Sequence, residues 1–198
     1  MHLLIMGPPG AGKGTQAGRI GGHYSIPAIS TGDMFRAMKD SDTPLARQVQ
    51  EIMTSGAYVP DEVTNAVVAD RLVADDCAQG FLLDGYPRTL DQVSFLDGVL
   101  KEADCELDAV ISLSVDADEL VARLTRRGAT DGRADDTPEA IRTRQQVYAD
   151  QTAPLLDVYR ERGLLVEVDG LGDIDDVTRR LFAALDQRAG DGALVASS

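Results

Sequence analysis

Nine residues near the start of the chain, Gly7-Pro8-Pro9-Gly10-Ala11-Gly12-Lys13-Gly14-Thr15, have the types and spacing needed to hold a phosphate chain. Glycines let the main chain fold tightly enough for several N–H groups to converge on one anion. Gly7, Gly12 and Lys13 satisfy the G-x-x-x-x-G-K spacing, in which the amine reaches the β- and γ-phosphates of a nucleotide. A helix beginning at the loop adds partial positive charge at its N-terminus. The hydroxyl that usually follows the lysine and ligates Mg2+ is missing or displaced: Gly14 stands there, with Thr15 one place later.

Two further segments carry chemistry of the same kind. Phe81-Leu82-Leu83 runs into Asp84-Gly85-Tyr86-Pro87-Arg88, and an acidic residue ending an apolar strand beside a phosphate loop orders Mg2+ directly or through water. With no hydroxyl next to Lys13, a water-mediated shell held by Asp84, with Asp33 as second carboxylate, is expected. Ser30-Thr31-Gly32-Asp33 forms a helix start, and Arg36 lies one turn in, within reach of a phosphate at that N-terminus. Arg123 and Arg127 are four apart and share a helix face, and Arg133 and Arg144 follow. With Lys13, Arg36 and Arg88 this set is suited to neutralising two phosphate chains rather than one.

Five short apolar runs, at 3–6, 27–29, 81–83, 109–113 and 164–168, read as buried strands. Helical patterns lie between and after them at 15–22, 31–39, 44–55, 61–75, 89–102, 116–127, 138–162 and 173–188. Thr31, Asp61, Thr137 and Asp173 stand where helix caps belong. Alternation of this kind predicts an α/β fold, a five-stranded parallel sheet with helices on both faces, which binds ligands at the carboxyl ends of its strands. One domain is expected, with a core of 1–29, 60–127 and 137–188. Residues 30–59 hold two helices with no strand between and form a small flap. The polar, glycine-bearing stretch 128–136 is a short lid with Gly128 and Gly132 as hinges, and 189–198 a mobile tail.

Composition narrows the partners. Asp and Glu number 33 against 19 Lys and Arg, for a net charge of −14, so a broad nucleic-acid surface is disfavoured. The excess is either a solvated surface or an adaptation to high salt, where screening removes self-repulsion. Lysine occurs only at 13, 39 and 101, which singles out Lys13. No apolar run is long enough to span a bilayer, and a leader is not expected because residues 1–6 already make the first strand. Cys77 and Cys105 lack metal-ligand spacing, and a reduced cytoplasmic setting follows. His2 and His23 lie outside every motif.

Together these motifs resemble those of the adenylate kinases of bacterial type, over residues 1–188. The marks are Gly7 to Thr15, Ser30-Thr31-Gly32-Asp33-Met34-Phe35-Arg36, Gly56-Ala57-Tyr58-Val59-Pro60-Asp61-Glu62, Asp84-Gly85-Tyr86-Pro87-Arg88 with Gln92, and Thr152-Ala153-Pro154-Leu155. The resemblance implies ATP + AMP ⇌ 2 ADP with Mg2+, and Thr31 favours AMP over the pyrimidine monophosphates. It places the ATP phosphates on Gly10, Ala11, Gly12, Lys13, Gly14 and Thr15, with Arg123, Arg127 and Gly172 on the ATP side. It places AMP on Thr31, Arg36, the Ala57-Tyr58-Val59 main chain, Gly85, Arg88 and Gln92, with Gln92 reading the base. Arg133 and Arg144 would clamp AMP and the transferring group, making Lys13, Arg88, Arg123, Arg133 and Arg144 the catalytic set. Longer relatives carry zinc in the lid; a lid this short without cysteine implies none. A monomer is expected.

The physics of the reaction agrees. An AMP phosphate oxygen is already ionised at pH 7, so no general base is required, and catalysis rests on in-line positioning and cationic stabilisation. Arg88→Ala is therefore predicted to cost mostly turnover. A kinase for CMP or UMP would share the loop and the arginines, whereas a non-catalytic nucleotide switch would need only one anion site.

Overall fold

The computed structural model describes residues 1–38, 41–131 and 137–190, with the backbone alone at 129–131 and 190. Five parallel strands form one sheet in the order β2-β3-β1-β4-β5: β1 His2–Met6, β2 Ala28–Ser30, β3 Phe81–Asp84, β4 Ala109–Ser114 and β5 Leu165–Asp169. The register pairs Ile5 with Asp84, Ser30 with Asp84, Met6 with Ser112, and Ser114 with Asp169, which aligns the carboxyl ends of all five strands along one edge.

Both faces of the sheet are covered, which explains why its strands read as unbroken apolar runs. Successive side chains point to opposite faces. Leu3 and Ile5 therefore pack with Ile20 of helix α1 (Lys13–Tyr24) and with Val177, Leu181 and Leu185 of helix α9 (Ile174–Gly190). Leu4 and Met6 pack on the other face with Val68 of α4 (Asp61–Leu72), Val93 and Leu96 of α5 (Leu90–Glu102) and Tyr159 of α8 (Leu155–Glu161). Each such side chain, fully buried, contributes about 1.5–3 kcal/mol.

Two helices, α2 (Thr31–Ala37) and α3 (Pro44–Ser55), follow β2, with no strand between them among the described residues. They have their own small core of Phe35, Val49 and Val59. Gly56, at φ +81, ends α3 against α7 (Pro138–Val147): an added Cβ would lie 2.6 Å from the Ala140 carbonyl oxygen. Only glycine fits that approach.

Several local expectations are corrected. The cap of α2 is Ser30, whose hydroxyl accepts from the Asp33 N–H; Thr31 is the first helical residue and its side chain points elsewhere. Asp61 opens α4 but caps nothing with its side chain, which accepts from Thr89 Oγ1 and Gln92 Nε2 instead, each at 2.6 Å. The helical pattern at 138–162 is broken between α7 and α8 by a π-helical turn, Tyr148–Thr152, closed by the Ala153 N–H on the Tyr148 carbonyl. Pro154 is the cause, because it has no N–H to donate and its ring crowds the preceding turn. The helix expected at 116–127 also runs longer. Helix α6 (Ala117–Asp131) continues through Gly128, a residue a helix interior tolerates at a cost of about 1 kcal/mol. Gly132 and Arg133 lie outside the described residues, as do 191–198 of the tail expected at 189–198, whose first two residues continue α9.

Candidate active site

Every strand sends residues to one cleft at the carboxyl edge of the sheet. A cavity of about 780 Å3 is lined by Gly10 to Gln16 after β1, by Ser30, Gly32, Asp33 and Arg36 at and beyond the end of β2, and by Asp84, Gly85 and Arg88 at and beyond the end of β3. Glu119, Arg123, Leu124, Arg126 and Arg127 of α6 complete it after β4, and Gly170, Gly172, Asp173, Ile174 and Val177 after β5, with Arg144 reaching in from α7. That is the volume of a small-molecule site. The loop can curl here because Gly7, Gly10 and Gly12 all have positive φ. At Gly7 the constraint is closest, since an added Cβ would lie 2.7 Å from the Leu113 carbonyl oxygen of β4.

Lys13 sits at the start of α1 with its ammonium turned onto the loop itself, donating to the Gly7 carbonyl at 2.7 Å and the Pro8 carbonyl at 3.1 Å. Burial pushes its pKa down to about 8; Asp84 opposes the shift, and Arg88, Arg144 and Arg127 reinforce it. Asp84 moves the other way, raised by burial against the pull of Lys13 and Arg88. Its Oδ2 would lie 3.6 Å from a Cβ at Gly14, so the glycine that displaces the usual hydroxyl also opens space beside the carboxylate. Among the described residues no group of three or more His, Cys, Asp and Glu side chains is placed to hold a metal. A hard oxygen donor such as Asp84 nonetheless suits Mg2+, which keeps several waters and takes only one or two carboxylates beside a phosphate chain. Asp33 lines the same cavity and pairs with Arg36 at 2.5 Å.

A second, smaller chamber of about 60 Å3 opens off the first and shares Gly32, Arg36, Gly85, Arg88 and Arg144 with it. The rest of its wall is Thr31, Ala57, Tyr58, Val59 and Gln92, with Phe35, Met53, Gly56 and Thr64. The Gly85 carbonyl, in a turn at φ +78, accepts from Thr31 Oγ1 at 2.9 Å and from Arg88 Nε at 2.6 Å. The following bond, Tyr86–Pro87, is cis. Gln92 is buried, and its Oε1 accepts from the Arg88 N–H at 2.7 Å while its Nε2 donates to Asp61. The Arg88 guanidinium lies over the Tyr58 ring at 4.7 Å.

The adenylate kinase family profile matches residues 5–164 of the chain. An adenylate kinase of Clavibacter michiganensis subsp. michiganensis is 60% identical over 184 residues, 93% of this chain and 92% of its own length. One of Leifsonia xyli subsp. xyli is 59% identical over 186 residues, 94% of each chain. A third, of a Nocardioides species, is 56% identical over 94% of this chain and 97% of its own. The chain belongs to the adenylate kinase family. It is an enzyme, a nucleotide-binding phosphotransferase that moves a phosphoryl group reversibly between ATP and AMP.

The residues marked by the family resemblance are brought together with few exceptions. Gly10 to Thr15, Arg123, Arg127 and Gly172 line the large cavity; Thr31, Ala57, Tyr58, Val59 and Gln92 line the small one; Arg36, Gly85, Arg88 and Arg144 line both. Arg123 bonds Glu119 at 2.7 Å and the Gly170 carbonyl at 3.0 Å, which seats it between α6 and the turn after β5. Arg133 lies outside the described residues. Three polar side chains at the site are not singled out by chemistry in the sequence. Asp61 ties Gln92, Gln145 Nε2 donates to the Pro9 carbonyl at 3.0 Å, and Thr152 donates to the Arg88 carbonyl at 2.9 Å. Each acts on a residue far along the chain, so no local spacing announces it. The available signals are Asp61 and Thr152, each inside a motif already quoted for the resemblance, whereas Gln145 has none. Among the described residues no helix is long and apolar enough to cross a membrane.

Proposed function

We propose that ATP lays its phosphates on Gly10 to Thr15 and that AMP sits between the flap and Arg88, so the two phosphate chains meet above Lys13 and Asp84. The observation that carries this reading is the shared wall. Arg36, Gly85, Arg88 and Arg144 face both chambers, where a group passing directly from one nucleotide to the other would lie.

Each residue then has a distinct task. The loop N–H groups and Lys13 hold the β- and γ-phosphates, and a bound polyphosphate restores the charge on an ammonium that burial alone disfavours. Thr31 and Arg36 receive AMP, the main chain of Ala57, Tyr58 and Val59 closes on it, and Gln92 reads its base. For that last task Gln92 exchanges the bond its Nε2 now makes to Asp61 and keeps Oε1 on the Arg88 N–H. Arg88, Arg123, Arg144 and Arg133 spread positive charge over the equatorial oxygens as they pass, the largest electrostatic contribution available to such a transfer. No histidine lines either chamber, and none is required, because the attacking oxygen is already ionised.

Asp84, assisted by Asp33, holds Mg2+ through water. Bound with ATP, the ion supplies neutralising charge at the phosphate oxygens. The flap at 30–59 excludes water, which would otherwise compete with AMP as acceptor, and most of the lid expected at 128–136 lies outside the described residues. The small chamber, at about 60 Å3, is far below the size of a nucleotide site, so the flap must yield when AMP enters. Both chambers are built from one chain, which suits a monomer, and two free thiols suit a reducing cytoplasm.

The test is ADP formation from Mg·ATP with AMP, CMP, UMP or GMP in parallel. We expect strong preference for AMP; preference for a pyrimidine monophosphate would overturn the roles given to Thr31 and Gln92.

A further inference from the structure

Thr152 lies on the π-helical turn where α7 is interrupted, 5% exposed, and belongs to neither phosphate-binding set. Its hydroxyl touches two things. It donates to the Arg88 carbonyl at 2.9 Å and is 2.8 Å from the Tyr58 hydroxyl. A threonine hydroxyl has a single proton, and a carbonyl can only accept. The proton is therefore spent on Arg88, and the Tyr58 O–H must donate to Thr152. The chain runs in one direction, from the Tyr58 O–H to Thr152 Oγ1 and from the Thr152 O–H to the Arg88 carbonyl, so each bond polarises the next.

This chain completes the restraint on Arg88. Its N–H is held by Gln92 Oε1 at 2.7 Å, so both main-chain polar groups of this one residue are tied by buried side chains from different elements. Its guanidinium rests on the ring of the same Tyr58 whose hydroxyl starts the chain. Tyr58 stands in the connection from α3 to α4, at the edge of the AMP chamber. Neighbouring Tyr148 is no rival acid: burial and the nearby Tyr58 push its phenol up to about 12. π-Turns recur at functional sites, and this one turns Thr152 out of the helical pattern toward the strand end.

We propose that Thr152 is a positioning residue for phosphoryl transfer, which latches the flap through Tyr58 and fixes the main chain from which Arg88 aims at AMP. The proposal rests on AMP occupying the chamber walled by Tyr58 and Arg88. The Tyr58 arm of the latch is made while the flap is seated; AMP entry displaces the flap, and the arm re-forms as the flap settles over the bound nucleotide.

Steady-state kinetics on Thr152→Val, Thr152→Ser, Tyr58→Phe and the Thr152→Val/Tyr58→Phe double variant test it, with thermal melting of each. Thr152→Val keeps the shape and drops the hydroxyl, and we expect kcat/KM for AMP to fall roughly three- to tenfold, the range of one lost hydrogen bond, with KM for ATP unchanged. Thr152→Ser should restore it. The double variant should be no worse than Thr152→Val, because one chain is cut in either case. Equal losses toward ATP and AMP, no rescue by serine, or additive losses in the double variant would overturn the latch. If Thr152→Val melts too low to assay, Tyr58→Phe cuts the same chain, and the same fall or its absence decides the question. Arg88→Ala, assayed in parallel, separates the two levels of the argument. If it leaves kcat/KM for AMP intact, the assignment of the chamber to AMP fails; if it lowers kcat/KM while Thr152→Val does not, only the latch fails.

Discussion

Gly85→Ala tests the shared wall of the site with a single methyl group. Gly85 has φ +78, where an L-residue is strained by about 1–2 kcal/mol. The new Cβ would lie 2.8 Å from Arg88 Nη2 and 3.1 Å from Thr31 Oγ1. The main chain cannot retreat easily, because its carbonyl accepts from both of those side chains. The arginine must swing away and the threonine must yield, weakening two hydrogen bonds worth about 0.5–1.5 kcal/mol each. A total loss of about 2–4 kcal/mol corresponds, for a domain of this size, to melting about 5–15 °C lower. Function should suffer more than stability. Misplacing a transition-state cation by about 1 Å can cost on the order of 100-fold in rate. Coupled measurement of ADP formation, with AMP varied at saturating ATP and then the reverse, should show kcat/KM for AMP falling by that order while KM for ATP is unchanged. A variant that melts lower but keeps kcat/KM for AMP within about threefold of the parent would refute the placement of Arg88 and Thr31 on the reacting groups.

Three other outcomes follow from separate features. Gly98 lies exposed in α5 with open space where a Cβ would go, so Gly98→Ala should stabilise by about 0.5–1 kcal/mol in urea melts without altering kinetics; a loss would contradict the helical assignment there. Lys13 has a folded pKa of about 8, below its ordinary value of 10.5, so its charged form burdens the unliganded fold below pH 8 and the burden fades toward pH 10.5. Lys13→Met should thus be more stable than the parent by about 1–3 kcal/mol at pH 7, and the gap should close near pH 10 while transfer is lost; a gap independent of pH would sink this account. Asp84→Asn should raise the Mg2+ concentration for half-maximal activity about 10–100-fold if the carboxylate acts through water, and an unchanged Mg2+ titration would remove Asp84 from the metal shell.

What is readable in the sequence follows the range of the interactions. Leu3 to Met6 or Ala109 to Leu113 announce strands because a sheet covered on both faces needs continuous apolar runs, and all five strands stand where those runs lie. The strand order is not readable, since it depends on pairings such as Ile5 with Asp84, far apart in the chain. The phosphate loop is legible because its glycines and lysine act within nine residues. Asp61 reads as a cap because its composition fits one; its true partners, Thr89 and Gln92, arrive from another helix. Pro154 is visible, yet a proline inside a helical pattern signals a break without saying how the turn before it will widen or which side chain it will present. The helix that reads as ending at 127 runs on through Gly128, because a lone glycine costs a helix only about 1 kcal/mol.

Among the described residues the cleft has seven cationic side chains against four anionic ones, in a chain whose overall charge is −14. A nucleotide approaching from a distance meets the field of the whole molecule and is repelled. Only within the last few ångströms does the basic mouth dominate. Salt shortens both fields, but at a screening length of about 10 Å in 0.1 M salt it removes the distant repulsion before the close attraction. Nucleotide association, followed by stopped flow, should therefore quicken with the first added salt and slow only at higher concentration, the reverse of the monotonic decline expected of a basic surface. The enzyme is near-sighted toward its substrates: its charges sort molecules at the threshold of the cleft rather than drawing them in from solution.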